Sequence, residues 1–182
     1  MEKSITKNAL AISLKEILVE KAFGNISVED ICKNAGVSRR TFYRYFLDKY
    51  ELLNWVYEWD MQAGIQNGGQ GDEENKEYLI NMCVCFSDNR DFYKRALNVE
   101  GQNSFCEYCQ DKIQECFTKE YIRMGKSDSM FLRMAECLAR AIYDAAREWL
   151  ENDAETSPED FVEELYSTME VFGGYMYRES LT

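Results

Sequence analysis

Within nine residues, Ser38 to Phe46, the chain places three arginines, a threonine and two tyrosines in the run S-R-R-T-F-Y-R-Y-F. These side chains suit one kind of chemistry. A guanidinium fork pairs with guanine O6 and N7, and a threonine methyl meets a thymine methyl. Tyrosine and serine hydroxyls reach phosphate oxygens. The candidate nucleic-acid contacts are therefore Ser38, Arg39, Arg40, Thr41, Tyr43, Arg44 and Tyr45. Lys49, at the start of a following helix, adds a cation beside amide N–H groups that already favour an anion. Ser27, at another helix start, offers a second phosphate site. A basic run is more often a solvated face, and Tyr45 could equally be a packing residue. The position of this run, at the head of a short helix directly after a tight turn, is what favours contact.

Such side chains read a duplex only if a rigid frame holds them. Residues 5–21 carry Ile5, Ala9, Ile12, Leu14, Ile17 and Leu18 at three- and four-residue spacing, which predicts an amphipathic helix. Gly24 suits a left-handed cap at its end. Ser27 and Asp30 form a capping-box pair for a second helix, whose inner face is Val28, Ile31, Cys32 and Ala35. Gly36-Val37 makes the turn, and Ser38 caps a third helix, predicted over Arg39–Phe46, with Phe42 and Phe46 facing inward. Two short helices joined in this way read as a helix-turn-helix. A fourth helix follows Asp48, with Glu51 as its capping partner, and fades near Gly64 into the glycine-rich stretch 64–71.

Helical spacing resumes over 73–86, 88–97, 104–124, 128–150 and 158–178, with breaks at 101–103 and 125–127 and a strong helix start at Ser157-Pro158. The predicted fold class is all-α. A DNA-binding helix-turn-helix domain spans 1–49, and a helical dimerisation and ligand-binding domain spans 50–182. Charge follows the same division. The chain carries a formal net charge of -12, yet residues 1–50 sum to +3 and the remainder to -15. An acidic body would turn only its basic face toward DNA.

Other chemistries are disfavoured. The chain has no histidine, so it lacks the commonest metal ligand and the commonest general base, and neither cofactor nor catalytic residue is expected. Seven cysteines include Cys106-x-x-Cys109 with Cys116, and Cys83-x-Cys85, a pattern a soft-metal or thiol sensor could use. A zinc site would need a second such pair, and buried free cysteines usually act as small hydrophobes. Neither a secretory leader nor an apolar run of membrane-spanning length is visible, which predicts a cytoplasmic protein with no membrane partner.

The stretch A-G-V-S-R-R-T-F-Y-R-Y-F-L-D-K-Y-E-L-L (Ala35–Leu53), with Phe23-Gly24 and Ser27-Val28-x-Asp30-Ile31 upstream, resembles the signature of the TetR family of bacterial transcriptional regulators. Arg40 departs from it, because many members have a small residue there. The runs D-F-Y-K-R-A-L-N-V-E-G-Q-N-S-F and R-E-W-L-E-N-D-A-E-T-S-P-E-D-F resemble C-terminal domains of a subfamily that includes dihydroxyacetone-kinase operon regulators. The resemblance implies a homodimer that binds a palindromic double-stranded operator. It pairs through the last two long helices, about 128–150 and 158–178, and acts as a repressor released by a small-molecule effector of unknown identity. A co-activator or nucleoid-associated protein of the same fold, controlled by a protein partner, is the alternative reading. A small enzyme on a helical bundle is a distant third.

Overall fold

The computed structural model describes residues 2–64, 72–99, 104–125 and 128–179. Every regular element among them is helical: α1 (Glu2–Glu20), α2 (Val28–Ala35), α3 (Arg39–Phe42), α4 (Lys49–Gly64), α5 (Asp72–Asp88), α6 (Arg90–Ala96), α7 (Phe105–Arg123), α8 (Ser129–Glu151) and α9 (Pro158–Glu179). The all-α expectation holds. The predicted glycine loop after Gly64, the break at 101–103 and most of the break at 125–127 lie outside the described residues, as does the Phe172 side chain.

The first four helices share one apolar centre. Leu10, Ala11, Leu14 and Leu18 of α1 meet Ile31, Phe42, Phe46, Leu52 and Leu53, all buried. Ile5 and Ile12, apolar positions of the expected amphipathic helix, are 64% and 49% exposed. At about 100° per residue they fall on the side of the helix opposite Leu14 and Leu18. The buried stripe instead follows Leu10, Leu14 and Leu18. Gly24 does not adopt a left-handed cap. The chain closes there in a 3-10 turn, Phe23–Asn25, which buries Phe23.

The N-terminal caps read from sequence are present, except that the Glu51 carboxylate accepts from Leu47 N rather than from Asp48 N. Ser27 Oγ accepts from Asp30 N at 3.1 Å, and Asp30 Oδ2 accepts from Ser27 N at 2.8 Å. These bonds, with Lys21, hold the Asp30 carboxyl down at about 2. Ser38 Oγ caps α3 from Thr41 N, and Asp48 Oδ1 accepts from both Tyr50 N and Glu51 N. Between α2 and α3 the backbone must reverse, and Gly36 supplies φ 67°.

The larger body packs α7 against α8 and α5 against α4, α6 and α9. Its centre is aromatic: Tyr57, Phe86, Tyr93 and Phe105 are buried in mutual ring contact, and the Tyr143 hydroxyl donates to Leu97 O at 2.7 Å. No described helix is long and apolar enough to cross a membrane.

A β-carbon at Gly36 would meet nothing within 4 Å, so only its left-handed backbone penalises substitution. Gly36→Ala is expected to lose about 1–2 kcal/mol of stability, seen as a lower midpoint in thermal denaturation by circular dichroism. Gly24→Ala, with ordinary φ and equal space, is expected to change it by less than about 0.5 kcal/mol.

Candidate nucleic-acid interface

The basic run sits on a short, well-braced element. Regular α-helix covers only Arg39–Phe42, not the predicted Arg39–Phe46. Arg44 N and Tyr45 N then bond back three residues, to Thr41 O and Phe42 O, while Phe46 N bonds to Phe42 O at 3.0 Å. The tightening turns Phe42 and Phe46 both into the core, with ring centroids 5.8 Å apart. Phe46 then packs on Trp55 of α4. The polar residues between them are left outside.

Arg39, Arg40, Tyr43 and Arg44 are exposed, Tyr43 by 51%. Tyr43 beside it raises the pKa of the Arg39 guanidinium further, and the guanidinium lies 4.0 Å from Glu29 Oε2. Arg44 stacks over the Tyr45 ring at 4.9 Å and donates to its hydroxyl at 2.9 Å. Tyr45 is half-buried against the core, so it supports Arg44 as well as facing outward. Ser38 and Thr41 share a hydroxyl–hydroxyl bond of 2.9 Å. That bond orients the threonine, and Ser38 Oγ is already engaged at the helix cap.

Two of the expected phosphate anchors are occupied differently. The Lys49 ammonium donates to Phe23 O at 2.7 Å, Ile26 O at 2.8 Å and Gly24 O at 3.5 Å, and sits 4.6 Å over the Phe23 ring. An ammonium has three protons, and all three are directed at the α1–α2 turn. Burial lowers its pKa. Lys49 is therefore a staple between α4 and that turn. At Ser27 the helix start already holds the ionised Asp30 carboxylate, beside Glu29, where a phosphate would have to bind.

Cys83, Cys85 and Cys109 are buried. Burial pushes the Cys83 and Cys85 thiols up to about 12 and the Cys109 thiol well above its ordinary value. They are neutral thiols packed as small hydrophobes. Among the described residues no cluster of three or more His, Cys, Asp or Glu could hold a metal ion.

Several polar residues that frame the interface were not singled out in the sequence. Ser13 Oγ donates to Ile31 O at 2.9 Å in the core of the small domain, fixing α1 to α2. Lys15 of α1 reaches Asp60 of α4. A serine and a lysine interrupting the Leu10–Leu14–Leu18 stripe were the available signals.

Lys49→Met removes the donor from carbonyls that face the turn and is expected to cost about 1–3 kcal/mol. A thermal midpoint unchanged from wild type would show that the staple contributes nothing to folding.

Against this geometry, known proteins are informative. Residues 14–56 match the family described as bacterial regulatory proteins, tetR family, and residues 73–171 match a transcriptional regulator C-terminal region. The dhaKLM operon transcriptional activator DhaS of Lactococcus lactis is 32% identical over 101 residues, which cover 55% of this chain and 54% of that protein. The match thus spans about half of that relative's length. The transcriptional activator FasR of Mycolicibacterium smegmatis is 21% identical over 86% of this chain and 78% of its own. Among solved structures, a dihydroxyacetone kinase operon activator DhaS superposes with TM-score 0.63 at 23% identity, covering 91% of this chain and 94% of that one. A TetR-family regulator from Syntrophomonas wolfei superposes with TM-score 0.68 at 18% identity, covering 94% and 96%. With both halves matched and the second covering more than half of its residues, the chain belongs to the TetR family of bacterial transcriptional regulators.

Proposed function

We propose that the chain acts as a homodimer that reads a roughly palindromic operator through the run that begins at Ser38. The observation that carries this is the exposure of Arg39, Arg40, Tyr43 and Arg44 on one capped, core-anchored turn of an otherwise acidic protein. In this reading Arg39, Arg40 and Thr41 meet base edges in the major groove, while Tyr43, Arg44 and Tyr45 position the helix on phosphates. Residues 1–49 act as the reading head and 50–182 as the pairing and control domain, with Lys49 bracing the join.

Support for pairing comes from α8 and α9. Between them, beside Tyr121, runs an apolar groove of about 770 Å³ lined by Met134, Leu138, Ala141, Phe161, Leu165 and Met169. A second copy placed on this face by a two-fold axis would bury it and present two identical reading heads.

Repression relieved by a small effector is the family default. An activator role draws support from the names of two of the curated relatives, each a transcriptional activator. It also draws support from the interior, where the Tyr57 and Tyr78 hydroxyls pair at 2.8 Å and Tyr108 donates to Glu58, which Lys112 approaches at 3.3 Å. An effector entering there would have to displace rings that already satisfy one another, whereas a protein partner would not.

Fluorescence anisotropy on the chain's own upstream DNA across a salt series tests the reading. Wild type is expected to bind tightly with a steep salt slope, and Arg39→Ala to weaken specific binding by about 1–3 kcal/mol. Weak, sequence-independent binding unaffected by Arg39→Ala would sink the assignment. Ala141→Asp, in the exposed α8 groove, is expected to yield folded monomers by sedimentation equilibrium and to lose operator affinity.

A further inference from the structure

The small domain and the body meet at a half-buried polar lock. Lys15 Nζ of α1 lies 2.7 Å from Asp60 Oδ1 and 2.6 Å from Oδ2 of α4, and donates to Asn89 Oδ1, just before α6, at 3.0 Å. Tyr93 of α6 donates its hydroxyl to Asp60 Oδ2 at 2.7 Å, and the Cys85 thiol of α5 lies 3.4 Å from that hydroxyl. The side chains of Lys15 and Asp60 are only 20% and 13% exposed. The ammonium also sits over the Trp59 and Phe92 rings at 5.8 and 5.7 Å. Four helices converge on one ion pair.

The far side of α6 is tied down as well. Arg90 pairs with Asp153 in the α8–α9 turn, and Lys94 reaches Asp153 Oδ1 at 2.8 Å and Glu151 O at 3.2 Å. So α6 is a strut with charged ends. One face grips the connection between the two helices of the pairing groove, and the other grips α1 of the reading head. None of these groups belongs to the basic run that begins at Ser38.

We propose that Asp60, held by Tyr93, is a positioning residue for DNA reading: it sets the angle of the reading head on the body through Lys15. This rests on the DNA-reading role of that run. Direct hydrogen bonds are short-ranged and directional, and a partly desolvated ion pair resists sliding, so the lock fixes orientation where apolar packing alone would tolerate small rotations. Releasing it leaves every DNA-contacting side chain in place and alters only the spacing of two linked heads. The signature is a loss of operator affinity with an unchanged salt slope, because the number of phosphates neutralised by each seated head is the same.

Three variants make the test. Asp60→Asn removes the charge and keeps the shape. Tyr93→Phe deletes one hydroxyl and keeps the ring packing, so it folds even if Asp60→Asn does not. Asp60→Glu keeps the charge and is expected to recover part of the affinity. Operator binding by the full-length dimer is measured by anisotropy across salt, and α1 is followed without DNA by hydrogen exchange. Asp60→Asn and Tyr93→Phe are expected to weaken operator binding on the order of tenfold at constant salt slope. Exchange should quicken in α1 around Lys15, with α7 and α8 unchanged. If wild type binds its operator and both variants bind equally well, the inference is overturned, whatever the exchange shows. A weaker affinity with a shallower salt slope would also overturn it, since that marks lost phosphate contacts. If wild type itself shows no operator binding, the DNA-reading role fails, and exchange alone then decides whether the lock holds α1: unchanged α1 exchange in Tyr93→Phe refutes the lock as well.

Discussion

Lys15 and Asp60 bring opposite charges together where α1, α4, the start of α6 and its Tyr93 meet. Moving two ions out of bulk water is costly, and the loss is offset only if each retains several good partners. Here both do. The carboxylate accepts from the ammonium and from a phenol, and the ammonium adds an amide oxygen and two aromatic faces. Removing either partner strands the other, so the pair adds a directional tie to the apolar core that the two parts share.

The small domain is rigid for a different reason. The starts of α2, α3 and α4 carry side-chain caps at Ser27, Ser38 and Asp48, and the reversals between them are closed by backbone or side-chain bonds rather than by loop length. Behind α3, Phe42 and Phe46 fill the same core as Leu14, Leu18 and Leu52. Lys49 adds a charged staple from α4 to the carbonyls of the Phe23–Asn25 turn. A short helix of four residues would not persist alone. It persists here because its apolar side is buried and its orphan N–H groups are capped. Rigidity of this kind holds the exposed arginines beside α3 on a fixed frame.

The body uses its aromatic residues as structure first. Tyrosines donate to one another, to Glu58 or to the backbone, which satisfies every hydroxyl involved while filling the interior with rings. The neutral, buried cysteines follow the same logic and pack as small apolar groups. On the outside, α8 and α9 leave an apolar groove, the kind of exposed patch that marks interaction surfaces.

The helices, their caps and the recognition run were legible in the order of residues, because each depends on neighbours within about four positions. Ser27 with Asp30, Ser38 with Thr41 and Asp48 with Glu51 are local pairs, and their geometry follows from spacing. Which side of α1 faces inward was not legible, since Ile5 and Ile12 are as apolar as Leu14 and only the placement of α2 and α4 chooses between the two faces. The destination of Lys49 was likewise out of reach. From sequence it is a lysine at a helix start, and only the fold brings the carbonyls of Phe23 and Ile26, more than twenty positions away, beneath its ammonium. Lys15 and Asp60 stand forty-five positions apart, each a charge on an otherwise apolar stripe. The sequence by itself determined that this is an all-helical regulator with a basic helix-turn-helix. Tertiary structure decided which cations stay exposed and which are bound within the protein, because that choice depends on contacts between segments that local spacing does not encode.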